Sequence, residues 1–164
     1  MVKKIILIMC CAVMAVSMAA CGGGKKNEPV ALDQDEKELL ELIGEDIHVV
    51  TDDDYARTVS ELAYHTGEYS GEVYQLEGIY GVENGASSVS RTLVDGENKT
   101  VCGLPLRYVQ KEIDAGSWVK VTGVVNTDEE SGTEQNVLEV VAIESLPEGG
   151  QTELPWESGG AHQH

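Results

Sequence analysis

Positive charge is scarce in this chain. Eleven lysines and arginines face 29 aspartates and glutamates in 164 residues, a formal net charge of -18. Such a surface repels nucleic acid and anionic lipid alike. Aromatic residues are few as well. Phenylalanine is absent, and Gly85 to Leu104 holds no aromatic residue and only two cations, Arg91 and Lys99. Single-stranded nucleic acid is held by stacking side chains in a positive groove, so it is excluded as a partner. Metal-ligand spacings of the Cys-x-x-Cys or His-x-x-x-His kind are missing. There is no glycine-rich phosphate loop, and Ser60, Ser87, Ser88 and Ser90 lack a nucleophile-elbow context. The expectation is a non-enzymatic protein that carries no cofactor.

Long apolar runs are also missing. The longest, beginning at Ile5 and running to Val16, follows the basic Lys3 and Lys4 and falls short of the roughly 20 residues a membrane span needs. It has the length of a signal-peptide core and ends in small residues before Cys21. The stretch Met18-Ala19-Ala20-Cys21 resembles the lipobox of bacterial lipoproteins. That resemblance implies removal of residues 1–20, acylation of Cys21 and a lipid anchor on the extracytoplasmic face of the cell membrane. Several acyl chains hold a protein stably where one does so only marginally. Cys10 and Cys11 would leave with the leader, so Cys102 is the one thiol of the folded part and no disulfide framework forms. Stability has to come from a buried core.

Along the rest of the chain, 21–32 reads as a flexible tether, with Lys25 and Lys26 beside the lipid. Residues 33–68 form a short helical segment. Asp33 and Glu36 have capping-box spacing before Leu39, Leu40 and Ile43, and Gly44 is a stop. A short strand is expected at Ile47–Val50. A second helix follows Thr51 and its acids, with Val59, Leu62 and Ala63 buried. From Tyr69 the period changes to two. Strands are expected at 73–82, 87–94, 99–104, 118–125 and 137–146, with a short helix in 106–115 and a disordered tail over 148–164. Three strands, a helix and two strands is the order of an OB-fold, a five-stranded Greek-key barrel, here over 69–147. Gly78 and Gly123 fall mid-strand, where barrel corners need residues without a Cβ. The fold class expected is mainly β with short N-terminal helices and a small OB-like barrel.

The segments EYSGEVYQLEGIYG, CGLPLRY and GSWVKVTGVV resemble a group of bacterial lipoproteins and membrane-linked proteins with an OB-fold-like domain. The C-terminal domain of proteins described as permease subunits belongs to that group. The likeness runs over roughly residues 45–146 and rests on Tyr69 and Gly71 at the first strand and on Trp118–Gly123 later. It implies a fold and no activity. Where relatives carry adjacent cysteines, this chain has Val101 before Cys102.

What remains is a ligand- or partner-binding module at the cell surface. Arg91 and Arg107 are rare cations in an acidic domain and are candidate anchors for an acidic ligand or partner, a small molecule or a protein, with Tyr108 and Trp118 beside them. The bland alternative is an ion pair for each arginine. The presumptive binding face is Ser88, Ser90 and Thr92, with Arg91 as its cation. A metal-associated lipoprotein is the second reading, with Cys102, His48 and His65 as ligands; His162 and His164 would add only weak sites. The leader generates the first test. Cys21→Ser should move the protein from the membrane fraction to soluble or uncleaved forms, and wild type recovered as soluble would refute the lipid anchor.

Overall fold

The computed structural model describes residues 29–128 and 134–156. The leader, Cys21, Lys25, Lys26, His162 and His164 lie outside the described residues, as does the tip of the acidic loop after Asp128.

Helix α1 (Gln34–Ile43) begins as its sequence dictates. The Asp33 carboxylate accepts from the Glu36 amide at 2.9 Å, and Glu36 accepts from the Asp33 amide at 2.8 Å. Gly44 ends the helix at φ 54°, a conformation glycine adopts without strain. A single 3-10 turn leads into strand β1 (Ile47–Val49). Helix α2 (Asp52–Tyr64) buries Tyr55, Ala56, Val59 and Leu62, a stripe at helical spacing. Ala63, expected on that stripe, is exposed, because the buried side is centred nearer the N-terminus, on Tyr55. At the other end of α2, buried Asn136 donates to the carbonyls of Leu62 and His65 and accepts from the Gly67 amide. One side chain thus satisfies carbonyls that the helix end leaves open.

The chain is mainly β. Six further strands follow: β2 (Val73–Glu83), β3 (Ala86–Asp95), β4 (Asn98–Arg107), β5 (Trp118–Asp128), β6 (Gln135–Ser145) and β7 (Glu153–Pro155). The sheet therefore has seven strands where a five-stranded barrel was expected: β1, expected as a short separate strand, joins it beside β2, and β7 was not expected. Its order is β1-β2-β5-β6-β4-β3-β7, and β2 also pairs with β3, so five of the strands form a ring of pairings. Neighbours in the ring are antiparallel except β4 and β6, which meet in parallel at Leu106–Leu138 and Arg107–Glu139. Asn84 and Gly85, both at positive φ, make the two-residue turn from β2 to β3.

Period-two alternation supplies the core. Tyr74, Leu76 and Tyr80 of β2, Val89 and Leu93 of β3, and Val119, Val121 and Val125 of β5 point inward with Leu104, Leu138 and Ile143. Each fully buried aliphatic side chain contributes about 1.5–3 kcal/mol. The two mid-strand glycines mark close approaches. A Cβ on Gly78 would lie 2.8 Å from the Ser90 carbonyl oxygen, and one on Gly123 2.7 Å from that of Glu139, beside the bulge at Thr122/Gly123.

Two expected features are corrected. Residues 106–115 hold no helix: β4 runs on to Arg107 to pair with β6, and Tyr108 then turns the chain at φ 60°. The tail is not structureless where described. Leu154 of β7 is 3% exposed and packs in the core, while β7 lies parallel to Thr92–Val94 of β3.

Val121 is fully buried, whereas the neighbouring Lys120 lies on the outer side within 4 Å of Glu77 and Glu144. Val121→Asp should cost about 3–5 kcal/mol through an uncompensated buried charge. Lys120→Gln should cost under about 1 kcal/mol. Urea unfolding of the two variants measures both, and equal losses would contradict this register.

Candidate functional site

The β2–β3 ladder ends at Ile79–Ser90. Below that point β2 pairs with β1 and β5, and β3 pairs with β7. Arg91 sits where the two strands part. Its Nε donates to the Glu77 carbonyl at 2.7 Å, and its Nη1 reaches the Asp52 carboxylate at 2.5 Å. The guanidinium carbon lies 4.6 Å from the Tyr55 ring centre and 4.8 Å from that of Trp118. Trp118 in turn donates to Glu77 at 3.3 Å. Arg91 is 3% exposed. This corrects the expected binding face. Arg91 alternates with Val89 and Leu93 toward the interior, while Ser88, Ser90 and Thr92 take the other side of β3.

The structure thus brings Arg91 and Trp118 together, with Tyr55 and Asp52, and leaves Arg107 and Tyr108 elsewhere. Arg107 is bound to Asp128 at 2.6 Å, and Tyr108 is exposed at the start of the loop that replaces the expected helix. Six of the seven described basic residues are held by carboxylates: Arg57 by Asp54, Arg91 by Asp52, Lys99 by Glu153, Arg107 by Asp128, Lys111 by Glu36, and Lys120 by Glu77 and Glu144. Lys37 is the seventh.

The alternative metal set is not assembled. His48 stacks on Tyr74 at 5.0 Å and lies 3.9 Å from Glu72, and His65 is 3.1 Å from Glu68. Cys102 touches the Ser60 hydroxyl at 3.7 Å. Each has its own partner, and among the described residues no three His, Cys, Asp or Glu side chains group to hold a metal.

A concave surface lies at one end of the ring. It is an open groove of about 510 Å³ lined by the partly exposed Ile79, Ile113 and Leu146, with Pro29 and Pro147 at its sides; Trp118 lies buried beneath it, its ring against Gly149 and Gly150. Its walls come from three segments that backbone and side-chain bonds hold together. Tyr80 exchanges hydrogen bonds with Gly116 and Ser117, which folds the 108–117 loop back on β2. Val30 and Ser145 exchange bonds that fix the chain entering α1. Lys111 joins the two by reaching Glu36, the Ala31 carbonyl at 2.9 Å and the Ile143 carbonyl at 3.2 Å. Glu112 and Asp114 line the groove, are exposed and have no cationic partner among the described residues. Spacing offered no sign of this groove, since it gathers residues from positions 29 to 152.

No family model matches this chain, and no curated protein matches it. Among solved structures it is similar to an aspartyl tRNA synthetase from Entamoeba histolytica, with 11% identity and a TM-score of 0.34, over 77% of this chain and 28% of that one. The chain spans little more than a quarter of that protein, and a likeness this weak carries no argument about fold or activity. Among the described residues no helix is long and apolar enough to cross a membrane.

Burial raises the Tyr55 hydroxyl above the ordinary tyrosine value, helped by its proximity to Cys102 and opposed by Arg91. Burial also raises Tyr74, together with its bond to Glu72, and raises the Cys102 thiol against the contact from Ser60. All three hold their protons more tightly folded than unfolded. The stability they contribute is therefore complete below the ordinary thiol value of ~8.5 and is lost as pH rises past it and past the tyrosine value of ~10. The urea midpoint should fall across that range. Tyr55→Phe, which keeps the ring on Arg91, should flatten the decline above pH ~10. An unchanged slope would show that the hydroxyl is not buried as described.

Proposed function

We propose that this protein is a lipid-anchored, extracytoplasmic binding module whose ring of five strands is an OB-like barrel. The barrel reading is supported by the order of pairings: three antiparallel strands in succession, then two, with a parallel contact between the third and fifth. Support for the anchor comes from the lipobox-like Met18–Cys21 after an apolar leader. The observation that carries the binding role is the groove over Trp118. It has the volume of a small-molecule site, an apolar floor and a few polar groups.

The ligand is neutral or cationic. Arg91 and Arg107, the anchors once expected for an acidic ligand, are engaged by Asp52 and Asp128. Phosphate and carboxylate ligands thus lose their natural partners. Catalysis has no support beyond isolated serines and carboxylates.

Two measurements test this reading on the mature chain carrying Cys21→Ser. Mixed-sequence oligonucleotides should show no binding tighter than about 10 μM at physiological salt. In a thermal-shift screen, a groove ligand at ten times its Kd should stabilise the protein by about 1.4 kcal/mol, several degrees in Tm. Ser117→Trp, which fills the groove, should abolish that shift. Saturable oligonucleotide binding, or hits that are predominantly anionic, would refute the proposal.

A further inference from the structure

We propose that the groove over Trp118 selects an organic cation, a molecule with an apolar body bearing an ammonium or guanidinium group. This deepens the binding role proposed above and rests on it. The partly exposed Ile79, Ile113 and Leu146 receive the apolar body in an open groove of about 510 Å³. The charge is read at the rim. Glu112 and Asp114 come from the loop that forms one wall, and among the described residues no cation lines the groove with them.

Six of the seven described cations are held in ion pairs away from these two carboxylates. Lys111, beside Glu112 in sequence, is turned away to Glu36 and to the carbonyls of Ala31 and Ile143. Lys120 is likewise spent between Glu77 and Glu144. An apolar cleft with two unneutralised carboxylates is complementary to a cation on a hydrophobic body and repels the matching anion. In sequence, Lys25 and Lys26 come shortly before Pro29, which itself lines the groove. The chain's own tether is therefore the competing occupant.

Isothermal titration of the mature chain carrying Cys21→Ser, with 4-phenylbutylamine, 4-phenylbutanol and 4-phenylbutyrate, separates the possibilities. The three probes share one apolar body and differ in charge. The amine should bind roughly tenfold tighter than the carboxylate, the scale expected of two exposed charges. Raising salt to about 0.5 M should shrink that ratio. Glu112→Gln with Asp114→Asn alters exposed positions only and should abolish the ratio while the alcohol's affinity stays unchanged. Equal affinity for amine and alcohol would overturn the cation inference and leave the groove as a ligand site. Binding of none of the three at millimolar concentration would remove the groove from both readings. Amine binding that appears only after Lys25→Gln and Lys26→Gln would assign the groove to the tether and overturn an external ligand.

Discussion

The fold depends on one buried guanidinium. The ring of five strands opens on one side, where β2 and β3 separate just below Ile79 and Ser90, while α2 packs chiefly against β4 and β6. Separation leaves backbone groups without their ladder partners, and such groups are costly when buried. Arg91 fills that place. Its Nε takes the Glu77 carbonyl, its Nη1 takes the Asp52 carboxylate at the start of α2, and its faces lie against Tyr55 and Trp118. Thr92, the next residue, gives its amide to Thr152, which leads into β7. One side chain thus joins two strands, a helix and the tryptophan beneath the groove. An arginine suits this role because its planar fork presents several donors and stacks on rings, as a lysine ammonium does not.

The same economy of cations shapes the surface. With so few lysines and arginines, each one placed in a structural pair is withdrawn from binding. Lys111 holds the entering chain, α1 and β6 around a single ammonium, and Glu36 answers it while also completing the capping box of α1. These contacts position the walls of the groove. The carboxylates outnumber the cations throughout, and Glu112 and Asp114 are among those with no cationic partner among the described residues. The polarity of the groove therefore follows from the ion pairing that builds it.

Much of the architecture was legible. Alternation placed β2, β3, β5 and β6, and the Asp33–Glu36 spacing placed the start of α1. What was missed has local physical causes. Strand β7 is three residues long and is stabilised by Leu154 in a remote core, so no period could announce it. The segment after Arg107 has helical composition but is committed to tertiary bonds at Lys111 and Tyr80, which override propensity. Arg91 is the instructive case. Its alternation with Val89 and Leu93 already pointed it inward, but its charge argued for the surface, and Asp52 had been assigned only to the positive end of α2. The period was the better guide because a partner carboxylate and two rings could meet the charge inside.

The place of the groove relative to the proposed anchor gives its charge a setting. Pro29 and Val30 line the groove, so the chain from Cys21 enters the folded body at that end. Eight residues, fully extended, span at most about 29 Å. A lipid on Cys21 would hold the groove end within that distance of the bilayer, while the acidic body is repelled by anionic headgroups. The water next to such headgroups is enriched in cations over a Debye length of about 8 Å at physiological salt. A cleft with an apolar floor and unneutralised carboxylates, tethered beside that layer, meets organic cations at a higher concentration than the bulk offers. Anionic solutes are depleted in the same layer, so the membrane would reinforce the selection that Glu112 and Asp114 make.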